Sequence, residues 1–359
     1  MSNIISSRIL SSLVIIASFS VSMTSCQGQA NKANAPFAQE KQKGIHVFGR
    51  IDSTSFSPLA NLNMNWVTLV PWGYQADFDS QEVGHHRGDS TQMRRRDSSW
   101  VERIKMAQAD GFKVFVKPHV WMHEPSGGKW RSDIYPSNEE NWELWKKSYT
   151  DFMIRYAKIA EQANAEMFCI GTEFTRLSIE KPQFWEELIP KIRSIYSGKL
   201  TYAANWYFEY ENIAFWDQLD YIGIQAYFPL TEKENPSVKE IASGWKKHIP
   251  KIKSLTKQYN KPILFTELGY KSTTDSAAKP WEWMDYSDQN KQKLSHEIQA
   301  NCYQAFFEAI WHLDWFAGVH LWQWRATDGR RRPYESETNM DFTPKGKPAE
   351  KVISKGFEG

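Results

Sequence analysis

Eight short β-rich runs, each followed by a longer segment of different rhythm, set the limits on what this chain folds into. They span 45–48, 66–71, 113–120, 167–173, 200–205, 221–227, 263–267 and 319–324. Helical periodicity occupies 98–109, 139–162, 183–196, 238–259 and 289–314, and the links after the first and fifth runs are shorter and less helical. Strands that alternate with helices pair in parallel, and eight such repeats suffice to close a (β/α)8 TIM barrel. A doubly wound open sheet is the competing architecture. It normally carries a glycine-rich phosphate turn after its first strand, and Gly49-Arg50-Ile51-Asp52-Ser53-Thr54 is not one. Helix signals agree with the alternation. Asp97 or Ser98 caps one start and Gly111 ends that helix, while Ser137 to Glu140 has capping-box spacing. No internal repeat and no linker divides the body, so 44–359 reads as one catalytic domain of the α/β class.

Two of the apolar runs end in glutamate after threonine: Thr172-Glu173 and Thr266-Glu267. A carboxylate closing a buried strand is costly unless the strand tip opens into a site that uses the charge. In such barrels the chemistry sits at the C-terminal strand ends, which puts Glu173 and Glu267 at one mouth, on the fourth and seventh strands. Alternation along a strand places Glu173 with Gly171 and Cys169, and Glu267 with Phe265 and Ile263. A facing pair of carboxylates is the minimum equipment for hydrolysing a glycosidic bond. Aromatic content points the same way, with 17 Trp, 15 Tyr and 20 Phe. Indole N–H groups need partners in a core, so part of this excess is expected to face a ligand, and sugar rings suit flat apolar surfaces. The net charge of +2 gives no electrostatic ground for nucleic acid as a partner.

The N-terminus stands apart. Residues 1–25 carry Arg8 and then an apolar, serine-rich stretch too short to span a membrane, as in a secretory signal peptide. Cys26, directly after small residues, resembles the lipidated first residue of a bacterial lipoprotein. Residues 26–43 read as a polar tether. An exported, membrane-anchored monomer in the cell envelope is therefore expected. Cys169 and Cys302 fall within a strand and a helix, as two buried thiols rather than a disulfide.

The strand-four and strand-seven glutamates resemble the layout of the large clan of retaining glycosidases built on this barrel. Within it, Ile170-Gly-Thr-Glu-Phe174 and Leu264-Phe-Thr-Glu-Leu-Gly-Tyr270 resemble glycoside hydrolase family 113, whose activity is on β-1,4-mannans. The resemblance covers most of 44–324. It implies a retaining reaction on a β-linked oligo- or polysaccharide without a cofactor, Glu267 as nucleophile and Glu173 as acid/base. Most of the clan places Asn before the acid/base glutamate, to hold the substrate 2-hydroxyl. Thr172 stands there here, a pattern that family 113 shares, and it leaves that contact unassigned. Tyr227, ending the sixth strand, is expected to hydrogen-bond Glu267.

Other strand ends offer binding surface. Lys117, His119 and Trp121 alternate as a polar wall beside an aromatic platform, and Trp322 and Trp324 share a face on the eighth strand. Asn205-Trp206 and Trp72-Gly73-Tyr74 follow the fifth and second strands. His119, His123 and Glu124 raise zinc as an alternative, but their spacing is not that of a zinc helix, and no metal is expected. The runs Arg94–Arg96 and Arg330–Arg332 read as polar loops at the catalytic end, either solvated or recognising an anionic substrate group. The competing functions are hydrolysis of another or charged glycan by the same barrel, and non-catalytic glycan binding.

Overall fold

The computed structural model describes residues 37, 40–84, 90–283, 293–326 and 337–358. The expected signal peptide, the expected lipidation site Cys26, most of the tether and Arg330–Arg332 lie outside the described residues. Ten strands are described: β1 Gln42–Phe48, β2 Trp66–Leu69, β3 Trp72–Gln75, β4 Lys113–Val116, β5 His119–Met122, β6 Met167–Thr172, β7 Lys199–Asn205, β8 Ile222–Gln225, β9 Ile263–Leu268 and β10 Phe316–Arg325. The helices are α1 Ser57–Ala60, α2 Ser90–Ala109, α3 Glu139–Ala163, α4 Thr175–Glu180, α5 Pro182–Arg193, α6 Glu209–Asn212, α7 Val238–Tyr259, α8 His296–Phe306 and α9 Pro348–Phe357. Eight strands close a parallel barrel in the order β1-β10-β9-β8-β7-β6-β4-β2, and all eight expected runs are in it. β6 and β9 are its fourth and seventh strands.

Two differences from the sequence reading have local causes. The run 113–120 is two strands, because Pro118 has no N–H to give the ladder and the chain steps outward there. β5 then pairs with β3, which follows Pro71 in the same way, and this small parallel sheet rises above the barrel mouth. The second difference is α2, which begins eight residues earlier than expected. Arg94–Arg96 are therefore helical, not a loop, and Arg155 of α3 reaches the same segment at Asp97, 2.6 Å away. The first two turns of α2 have no apolar stripe, so periodicity is silent there although the residues favour helix.

The two longest helices carry clear end signals. Asn138 caps α3 by accepting from the Asn141 amide at 2.9 Å, and Asn164 leaves it in the left-handed region. Ser237 and Glu240 cap each other at the start of α7. Outward-facing strand residues pack on these helices. Phe265 lies between Trp245 of α7 and Phe306 of α8, at 5.7 and 6.3 Å. The barrel interior is filled from below by Trp66, Phe115, Met167, Cys169, Ala203 and Leu264. A polar layer sits above them. Thr68 donates to His320 Nδ1 at 2.6 Å and His320 Nε2 donates to Gln42 at 2.8 Å, the pattern of a neutral imidazole. Burial, and then the charge of Lys117, lower the His320 pKa to about 3. Cys169 and Cys302 are buried free thiols. Among the described residues no helix is long and apolar enough to cross a membrane.

Candidate active site

Glu267 reaches the barrel mouth through a break in the strand pattern. Ile263 and Phe265 belong to the core shared with the helices, and strict alternation would send Glu267 to that side too. Against β10, however, Val319 pairs with Phe265 and Leu321 with Leu268, so β9 spends three residues where β10 spends two. The extra residue is a β-bulge, which turns the next side chain around. The Glu267 carboxylate thus enters the barrel top. Lys117 Nζ donates to Oε1, and the Tyr227 hydroxyl donates to Oε2 at 2.7 Å, as expected for Tyr227. His119 Nε2 and His46 Nε2 stand 3.7 and 3.9 Å from Oε1. Burial pushes the Glu267 carboxyl above its ordinary value and the charge of Glu173 acts in the same sense. The Lys117 ammonium and the hydrogen bonds from Lys117 and Tyr227 pull it back.

Glu173 stands just past β6 with φ +56°, a conformation uncommon outside glycine and concentrated at functional sites. A register shift between Cys169 and Thr172 precedes it, so alternation with Gly171 does not hold here either. Its amide donates to Ala203 at 2.9 Å, which ties the turn to β7. Its Oε2 lies 3.4 Å from both Arg131 Nη1 and Trp130 Nε1. Arg131 is itself held by donation from Nε to the Val120 carbonyl at 3.0 Å. The sequence reading missed Trp130 and Arg131, which lie in the loop beyond β5 rather than at a strand end. The only signal was Gly127-Gly128-Lys129-Trp130-Arg131, a flexible approach to an aromatic and a cation.

Both carboxylates line one cleft of about 1030 Å³. Of the expected binding residues, Trp72, His119, Trp121, Asn205, Tyr227 and Trp322 line it. Lys117 does not belong to the wall. It is fully buried, just past β4, where it donates to Glu267 and also to Gln225 at 2.5 Å. Trp324 does not line the cleft either. Ile45 pairs with Leu321 but Val47 pairs with Trp324, and that irregularity turns Trp324 into the core, away from the face of Trp322. Further walls come from Trp206, stacked on Trp281 at 5.1 Å, and from Trp283, edge-on to Trp322 at 6.1 Å. Part of the tryptophan excess thus serves the cleft and the rest packs mostly in the helix layer. Both ring nitrogens of His119 lack a protein hydrogen-bond partner among the described residues, and burial followed by the Lys117 charge keeps the ring neutral. Among the described residues no three His, Cys, Asp or Glu side chains are placed to hold a metal ion. His123 and Glu124 are exposed and apart from the cleft lining.

A third carboxylate lies behind Glu173. Glu209 is fully buried at the start of α6, and burial raises it to about 7 against the pull of its hydrogen bonds.

Comparison with known proteins gives a consistent picture. The family model described as Glycoside Hydrolase Family 113 matches residues 39–347. A solved GH113 β-mannanase from Alicyclobacillus acidocaldarius, in complex with ManMIm, is 28 % identical with a TM-score of 0.74. The match covers 89 % of this chain and 98 % of that one. Another GH113 β-1,4-mannanase, solved as a complex, gives 28 % identity and a TM-score of 0.73, covering 89 % of this chain and all of the other. The β-glucuronidase of Ruminococcus gnavus shares the fold at 15 % identity and a TM-score of 0.58, over half of its own length. No curated protein matches.

Proposed function

The chain belongs to glycoside hydrolase family 113, and on that footing we propose that it cleaves β-1,4-mannosidic bonds in mannan or mannooligosaccharides with retention of configuration. That it is a glycoside hydrolase follows from the family. The narrower reading rests above all on one observation. A bulge turns Glu267 into an aromatic cleft, where Tyr227 and Lys117 hold it in one cavity with Glu173, the only other carboxylate lining that cleft among the described residues. The likeness to GH113 β-mannanases adds the sugar.

In this reading Glu267 attacks the anomeric carbon while Glu173 gives its proton to the departing glycosidic oxygen. A glycosyl ester on Glu267 results. Glu173, now ionised, takes a proton from water, the water oxygen attacks the anomeric carbon, and Glu267 leaves as carboxylate. Lys117 supplies a positive charge that keeps Glu267 anionic inside a buried site, and Tyr227 orients it. Trp322 and the neighbouring indoles give the apolar faces against which a pyranose stacks.

The charged-glycan alternative needs a free cation in the cleft. Among the described residues the arginines that line it are Arg131, engaged with Glu173 and Val120, and Arg325, 3.7 Å from Asp341. Comparing turnover of mannan, glucomannan, xylan and β-glucan tests the substrate. Mannan and glucomannan are expected to be cut fastest, and faster release from xylan, glucan or a uronic-acid polymer would overturn the assignment. Binding without any turnover would favour a non-catalytic role.

Lys117→Met tests the electrostatics. Without the ammonium the Glu267 anion is dearer, so the carboxyl keeps its proton to higher pH. The acidic limb of the kcat/KM profile should then move upward by about 1–3 pH units. An unmoved limb would reduce Lys117 to a packing role.

A further inference from the structure

Glu209 is surrounded by donors and has no place in the mechanism above. Its Oε1 accepts from the Tyr202 hydroxyl at 2.6 Å and from Ser178 at 2.8 Å. Its Oε2 accepts from the Asn205 amide at 2.8 Å and from the Thr175 hydroxyl at 3.1 Å. In its ionised form, populated above about pH 7, the fully buried Glu209 carboxylate only accepts, and its four donors then fix the direction of everything behind them. A hydroxyl has a single hydrogen. Tyr202, having given it to Glu209, accepts from the Phe174 amide at 2.9 Å, directly after Glu173. Thr175, having done the same, accepts from Asn205 Nδ2 at 2.8 Å.

The last link has a consequence for the cleft. With the Asn205 NH2 group committed to Thr175, its carbonyl Oδ1 is the end left without a hydrogen-bond partner among the described residues, on a side chain that lines the cleft with Glu173. Asn205 closes β7, the strand that also receives the Glu173 amide through Ala203. We propose that Glu209 is a positioning residue: through Thr175 it locks the Asn205 amide with Oδ1 turned to the cleft beside Glu173, where Oδ1 accepts from one hydroxyl of the bound sugar. Asn205 then supplies a polar sugar contact next to the proposed acid/base, one strand along from Thr172, whose own buried side chain is 3.9 Å from the Cys169 thiol. The same carboxylate fixes the backbone on which Glu173 turns. This inference rests on Glu173 acting on a sugar.

The substitution Glu209→Gln keeps the shape and breaks the direction. An amide NH2 must now face one pair of donors, which reverses at least one chain of hydrogen bonds. Thr175→Val removes only the link to Asn205. The probes are oligosaccharides that the wild type cleaves and their mono-deoxy analogues, each lacking one hydroxyl. In the wild type one deoxy position is expected to lose about ten- to hundredfold in kcat/KM, since a buried acceptor is left unpaired. That penalty should collapse to within about threefold in Asn205→Ala, in Thr175→Val and in Glu209→Gln, whereas a merely structural loss would lower all analogues alike. Retention of the full penalty in Asn205→Ala, or in both Thr175→Val and Glu209→Gln, would overturn the proposal. Because the readout is a ratio on whichever β-glycoside is turned over, a wrong substrate assignment leaves the test standing. Loss of the catalytic reading would show separately, as activity surviving in Glu173→Gln.

Discussion

Replacing Glu267 by glutamine is expected to abolish the proposed hydrolysis of β-mannan, with kcat falling on the order of 10⁵-fold, or about 7 kcal/mol of barrier. The size follows from the role: without the carboxylate no glycosyl ester forms, and the substituted amide would still accept from Lys117 through its one oxygen, with its NH2 turned to the Tyr227 hydroxyl, without attacking the sugar. Glutamine is the informative choice because alanine would strand the Lys117 ammonium in a dry site. Breaking such a buried pair costs about 3–5 kcal/mol of stability, so Glu267→Ala is expected to melt well below the parent. Azide separates the mechanism from mere damage. In a folded Glu267→Ala protein it should enter the vacated space and give a glycosyl azide of inverted configuration, because a single displacement replaces two. Full activity in Glu267→Gln would remove the carboxylate from the mechanism.

Glu173→Ala should act differently, and the difference is diagnostic. Loss of a general acid costs about 10²–10⁴-fold on a natural glycoside, whose leaving oxygen needs the proton. With an activated aryl leaving group that departs unprotonated, the first step should be nearly normal and the ester should accumulate, seen as a burst. Azide should then release it as a glycosyl azide of retained configuration, since Glu267 still makes the first displacement. Equal losses on both substrate types would place the defect in binding or folding. Arg131 and Trp130, which contact Glu173 at 3.4 Å, are the neighbours that such a folding defect would disturb first.

The barrel was legible because its signal is repeated eight times, with helical periodicity between most of the strands. Glu173 and Glu267 were legible because a charge at the end of an apolar run has few structural explanations. What was illegible is the reason they point inward. Alternation alone would have sent Glu267 among the helices beside Phe265, and only the β9 bulge corrects it. The same blindness to bulges placed Trp324 in the cleft when it packs in the core. Register is a property of two strands, and one strand's sequence does not carry it. Lys117 was found for a wrong reason. The third strand does bring it to the site, but burial makes it Glu267's counter-charge rather than a sugar ligand. Glu209 escaped notice because it sits in a short polar link after β7, where a glutamate normally faces water. Only the convergence of Tyr202, Ser178 and Thr175 from two other elements shows otherwise.

At the centre of the proposed mechanism is a covalent bond from Glu267 to the sugar. The direct test is to incubate the wild-type protein with a 2-deoxy-2-fluoro-β-mannosyl fluoride, digest it, and sequence the labelled peptide by mass spectrometry. Fluorine at the 2-position slows both steps, and the good leaving group lets the first proceed, so the ester persists long enough to isolate. The expected result is one added fluoromannosyl unit, carried on Glu267 within Ile263–Leu268. Label on any other residue would contradict the account, as would hydrolysis of this reagent with inverted product and no adduct.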